Sequence, residues 1–78
     1  MANEDLREVL RGIVAEVAEI DEVPDDAPFK ELGIDSMMAI EIVSEVERRY
    51  KIKVPEQELE KILDLNSVVA LIANKLPQ

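Results

Sequence analysis

Ser36 is the residue most open to chemistry in this chain, a hydroxyl in the run Lys30-Glu31-Leu32-Gly33-Ile34-Asp35-Ser36-Met37-Met38. Its own chain offers nothing to activate it. Histidine and cysteine are both absent, which excludes a serine–histidine pair, a thiolate nucleophile and a zinc site. With only Gly12 and Gly33 there is no glycine-rich phosphate loop. Carboxylates are plentiful, at Asp21-Glu22, Asp25-Asp26 and Glu45 with Glu47. A domain of this size is expected to lack a deep pocket that would retune them, so they read as solvated acidic surface and no metal site is assigned. Weak binding of a divalent cation by Asp21, Glu22, Asp25 or Asp26 remains open.

What distinguishes Ser36 is its position. It stands where a long loop ends and a helix begins, so the first backbone N–H groups and the positive end of the helix dipole point toward it. A phosphate attached there would be well placed. The plainer alternative is that Ser36, or Asp35 beside it, caps the helix at a value of about 1 kcal/mol. The two roles are compatible.

The elements that position this serine follow from apolar spacing. Leu6, Leu10, Ile13, Val14 and Val17 share one helical face, with Glu4, Glu8, Arg11 and Glu16 mostly off it, which predicts a helix from about Asn3 to Glu19. Gly12 lies opposite the stripe. The stretch from Ile20 to Asp35, with Pro24, Pro28 and Gly33, cannot be one helix and makes a long loop anchored by Phe29 and Leu32. A second helix runs from about Ser36 to Arg49, with Ala39, Ile42, Val43, Val46 and Tyr50 facing inward. Val54-Pro55 opens a short third helix of barely two turns, with Leu59, Ile62 and Leu63 on its one apolar face. Asp64 or Asn66 can cap a fourth, carrying Leu65, Val68, Val69, Ile72 and Leu76 before Pro77 stops it. No strand signal or internal repeat is present. The fold class is therefore all-α, a small irregular four-helix bundle with a long first loop and a short third helix, in a single domain over residues 1–78.

Eighteen acids against nine bases give a net charge of −9, which repels nucleic acid and anionic lipid and attracts basic protein faces. Residues 1–35 hold eleven of the acids and three of the bases. Without cysteine, a leader or a membrane-length apolar run, the expectation is a cytoplasmic, unprocessed protein, and the starting methionine fits a free-standing one.

Gly33-Ile34-Asp35-Ser36-Met37 resembles the G-x-D-S-[apolar] motif of acyl carrier proteins. The resemblance extends over nearly the whole chain: its length, the loop with Phe29, Lys30, Glu31 and Leu32 leading into the motif, Glu41 in the following helix, and Val54-Pro55 before a short third helix. It implies that a separate phosphopantetheinyl transferase attaches 4′-phosphopantetheine from coenzyme A to Ser36. The thiol of that arm then carries acyl cargo as a thioester, so the chain is a non-catalytic carrier. Asp35 resembles the residue that meets the transferase and positions the incoming cofactor.

On the second helix, Met37, Glu41, Ser44, Glu45 and Arg48 point away from the inward stripe, with Ile40 and Glu47 at its margin. By the resemblance, Met37, Ile40, Glu41, Glu45 and Glu47 form the face that docks on basic, partly apolar surfaces of acyl-transferring, ketosynthase-type or ligase enzymes, the chain acting as a monomer. Met37 and Ile40 can also be read as edge-of-core residues. Met38 occupies a position often acidic in carriers of primary fatty acid synthesis, and Arg48, Arg49, Lys51 and Lys53 make the end of the second helix basic. Glu45 is expected to pair with Arg49 at i,i+4. These departures point toward a polyketide or specialised lipid pathway rather than housekeeping fatty acid synthesis. Two other classes stay in view: a peptidyl or D-alanyl carrier, and a non-covalent helical interaction module in which the serine is only a cap.

Overall fold

A computed structural model of the chain describes residues 3–76. Four helices account for its regular structure apart from one 3-10 turn: α1 (Asn3–Ala18), α2 (Ser36–Tyr50), α3 (Glu56–Leu59) and α4 (Leu65–Lys75). Among the described residues there is no strand, and the architecture is the expected irregular bundle. The expected stop at Pro77 lies outside those residues, as does the side chain of Glu4.

The apolar stripes meet as their periods require. α1 packs against both α2 and α4, and Leu10, Val14, Ile42, Val46, Leu65, Val68 and Ile72 lose essentially all contact with solvent between them. Among the described residues no polar or charged residue is buried in this core. The interior therefore depends on aliphatic burial, worth about 1.5–3 kcal/mol for each fully buried side chain of this size.

The long connection holds an element that its sequence does not announce. Phe29–Leu32 forms a 3-10 turn, closed by Gly33 at φ 81°. That left-handed backbone suits glycine and would strain any residue with a Cβ. Phe29 is buried as expected and Leu32 half-buried, but Val23 and Ile34 are also buried and share the anchoring. Polar ties complete it. Arg11, on α1, donates to the Val23 carbonyl and, at 2.6 Å, to Asp25 Oδ1. Arg7 donates to Asn66 Oδ1 at 2.6 Å, while the Asn66 amide donates to the Asp25 carbonyl at 3.0 Å. The Phe29 amide reaches the Leu63 carbonyl at 2.8 Å. The hydrogen bond to Asp25 holds the Arg11 guanidinium above its ordinary pKa.

Four expectations are corrected. α1 stops at Ala18, because Glu19 turns into the left-handed region, and α2 runs one residue past Arg49, to Tyr50. α3 is a single turn rather than two, since Pro55 supplies its N-cap and the chain leaves the helix after Leu59. Leu63, assigned to the apolar face of α3, is 66% exposed, whereas Ile62 is buried. Periodicity carried the pattern past the point where the backbone bends. Of the two caps expected for α4, Asp64 is the one used, in a reciprocal cap: Asp64 accepts from the Ser67 amide at 2.8 Å and Ser67 Oγ accepts from the Asp64 amide at 3.0 Å.

Candidate functional site

The backbone of residues 33–38 delivers Ser36 to the surface. Gly33 reverses the chain, Ile34 is buried beneath it, and Asp35 caps α2 by accepting from the Met38 amide at 2.9 Å. Ser36 then occupies the first position of α2 and is exposed. The two alternatives for this pair are thereby separated: Asp35 is the cap, and the cap makes no demand on the Ser36 hydroxyl.

The other serines of the chain are in different circumstances. Ser67 Oγ accepts from the Leu63 and Asp64 amides and donates to the Asp64 carbonyl at 2.7 Å. Ser44 is half-buried in the middle of α2. Only Ser36 combines exposure, a helix N-terminus and a hydroxyl that the cap leaves unused.

Beside Ser36 opens a cleft of about 800 Å³. Phe29, Ile34, Ala39 and Ile40 form one bank, and Leu59, Ile62 and Leu63 the other; Lys30, Asp35, Glu56 and Glu60 lie on its polar margin. It is open to solvent along its length rather than enclosed. Its far bank is α3 and the turns after it, which explains why so short a helix matters here.

The expected docking residues are divided by the structure. Met37 (74% exposed), Ile40 (49% exposed) and Glu41 stand together with Ser36 on the open side of α2. Glu45 is only half-exposed and pairs with Arg48 at i,i+3 rather than with Arg49. Glu47 turns away from this face altogether, since its carboxylate accepts from the Val54 amide at 2.8 Å and so ties α2 to the segment that leads into α3. Sequence spacing placed it at the margin of the face but could not register that the returning chain would claim it. A second tie was missed as well. Lys75 Nζ of α4 lies 2.8 Å from Glu58 Oε1 of α3, and that oxygen is sealed from solvent, so the ammonium is what offsets its charge.

In the acidic loop, Asp25 is engaged by Arg11 and lies 3.6 Å from Arg7. Among the described residues no group of three or more potential metal ligands converges. No helix there is long and apolar enough to cross a membrane.

Comparison with known proteins gives a consistent set of likenesses. The family described as "Phosphopantetheine attachment site" matches residues 8–73. The polyketide-8 synthase acyl carrier protein 2 of Streptomyces avermitilis is 42% identical over 73 residues, covering 90% of this chain and 84% of that protein. An anthracycline acyl carrier protein of Streptomyces sp. strain C5 is 38% identical, covering 92% of this chain and 87% of its own length. Methylphloroacetophenone synthase of Cladonia uncialis is 36% identical over 95% of this chain, which spans only 3% of that synthase. Among solved structures, the acyl carrier protein of Thermotoga maritima shares the fold, with a TM-score of 0.80 at 24% identity over 94% of this chain and 88% of its own. A 3-oxo-butyl carrier from the actinorhodin polyketide synthase of Streptomyces coelicolor aligns with a TM-score of 0.75 at 25% identity, over 90% of this chain and 88% of that one.

Proposed function

The chain belongs to the family defined by a phosphopantetheine attachment site, and from that premise we propose that Ser36 is the residue that bears the group. The protein is an acyl carrier, and the group attached in its family is 4′-phosphopantetheine. Once attached, that group supplies a terminal thiol that holds acyl cargo as a thioester.

The observation that carries the assignment is the state of Ser36: exposed, first in α2, relieved of capping by Asp35, and bordering the cleft. The residues fit a phosphodiester at this point. Unpaired N–H groups and the positive end of the α2 dipole favour an anion beside the helix start. Lys30 borders the same cleft and adds a cation. Asp35 holds the first turn in shape so that the serine is presented rather than folded back, and it is the residue assigned to meet the transferase.

The chain is assigned as one carrier domain over residues 1–78, cytoplasmic, monomeric and without catalysis of its own. With no histidine or cysteine in the sequence, loading and acyl transfer fall to partners: a phosphopantetheinyl transferase, then acyl-transferring or ketosynthase-type enzymes. The cargo assigned is the acyl intermediates of polyketide assembly, a reading supported by relatives whose names place them in polyketide and anthracycline synthesis. Met37, Ile40 and Glu41 form the docking face beside Ser36, where two exposed apolar side chains supply contact and the carboxylate supplies steering.

Incubating the protein with coenzyme A and a broad-specificity phosphopantetheinyl transferase, then measuring its intact mass, tests this reading. A single phosphopantetheine increment is expected. No increment, with the transferase active on a control carrier, would leave a non-covalent interaction module as the better description.

A further inference from the structure

In a protein of net charge −9, a local cluster of cations stands out against the surrounding field. One forms at the end of the molecule where α2 and α4 finish. There a groove of about 570 Å³ is bordered by Tyr50, Lys51, Ile52, Lys53, Asn74 and Lys75. Basic residues at helix C-termini do favour the helix dipole, and Lys75, in the last turn of α4, meets that description. Lys53 does not, because it lies beyond the helix. Lys51 sits at φ 57° as the left-handed C-cap of α2, a position that favours glycine or asparagine over lysine.

The groove already shows what its cations accept. Lys75 Nζ holds the carboxylate of Glu58 at 2.8 Å. Lys51 and Lys53 are exposed, and among the described residues neither pairs with a carboxylate. Between these cations Tyr50 and Ile52 are half-buried and packed against the core, and they supply the smaller, apolar share of a mostly polar lining. At 1.5 Å per residue α2 separates this groove from Ser36 by about 20 Å, so a molecule seated there leaves the serine and its cleft open.

We infer that this groove is a second docking surface, taking an acidic segment of a partner protein in which carboxylates alternate with apolar side chains. Lys51 and Lys53 meet the carboxylates, while Tyr50 and Ile52 receive the apolar positions. α2 thereby becomes bipolar, with an acidic and apolar patch beside Ser36 and a basic patch at its other end, so that a partner of matching polarity binds it in one orientation. The surface is independent of phosphopantetheine and does not rest on the assignment of Ser36.

The test is a titration of the isotopically labelled full chain, followed by backbone amide shifts, with a short end-capped peptide of alternating glutamate and leucine. Shifts are expected at Lys51, Ile52, Lys53, Asn74 and Lys75, with affinity that falls as salt is raised. The Lys51→Glu/Lys53→Glu variant is expected to weaken binding about tenfold or more, and Lys53→Glu alone in the same direction. The same peptide with glutamine for glutamate is expected not to bind, nor is inorganic phosphate to reproduce the pattern. Shifts confined elsewhere, equal affinity in the charge-reversed variants with unchanged spectra, binding of the glutamine peptide, or the same shifts from phosphate alone would each overturn the inference.

Discussion

Two segments flank the cleft at Ser36, and they are held in different ways. The loop that leads to the serine buries Val23, Phe29 and Ile34 and is tied by Arg11, Asn66 and the backbone of Leu63. The opposite segment, through α3 to Leu63, buries Val54 and Ile62, leaves Leu63 66% exposed, and relies on three side-chain ties, Glu47 to Val54, Glu58 to Lys75 and Ser67 to Leu63, besides the backbone bond it shares with Phe29. One bank is fixed by deeper apolar anchors and the Arg11 hydrogen bonds; the other rests on shallower apolar contacts and three side-chain tethers. The arrangement suits a carrier, in which the attachment point must be presented in one geometry while the facing wall can adjust to what is brought beside it.

The contrast is sharpest at its anchors. Phe29→Ala is expected to cost about 3–5 kcal/mol, while Leu63→Ala on the opposite bank should cost no more than about 0.5 kcal/mol. Chemical denaturation of both variants measures the difference, and equal losses would erase the distinction between the banks. Arg11→Ala removes charge-assisted hydrogen bonds from the loop and is expected to cost about 1.5–3 kcal/mol. Because the Arg11 pKa is raised, deprotonation of the guanidinium removes its contribution only in strong alkali. The penalty of Arg11→Ala should therefore be the same at neutral and mildly alkaline pH.

Glu58→Gln removes the ion pair between α3 and α4. Its global cost should be about 1–3 kcal/mol, and amide exchange at Leu59, Lys61 and Ile62 should accelerate while exchange at Phe29 and Ile34 stays unchanged. Acceleration on both banks together would mean that they open as one unit. The smallest effect on stability concerns the docking face. Glu41→Lys should leave folding within about 0.5 kcal/mol but slow encounter with the transferase, more at low salt than at high. Equal slowing at both would argue against electrostatic steering.

Much of this was legible in the sequence, because helical spacing reports burial directly. The faces of α1, α2 and α4 emerged from Leu10, Val14, Ile42, Val46, Val68 and Ile72, all buried as their spacing requires. The Gly33-to-Met37 motif likewise pointed to the exposed start of α2. What escaped depends on contacts remote along the chain. Arg11 was placed off the apolar face of α1, but nothing local says that its long side chain reaches Val23 and Asp25. Its one signal was to be among the few bases of an acidic half. Glu47 had the right spacing for the outer face and was taken from it by a backbone amide seven residues on. The 3-10 turn at Phe29–Leu32 is too short to carry a period, and α3 was read as longer because Ile62 continues the pattern of Leu59 after the helix has ended.

The most direct test of the carrier assignment compares loading across the serines of the chain. Ser36→Ala, Ser44→Ala and Ser67→Ala would each be incubated with coenzyme A and transferase and weighed intact, with folding checked by circular dichroism. Ser36→Ala should fold like the parent, because Asp35 supplies the cap, and should gain no mass; Ser44→Ala and Ser67→Ala should still gain one phosphopantetheine, the latter from a less stable protein. A phosphopantetheine increment on folded Ser36→Ala would contradict the assignment.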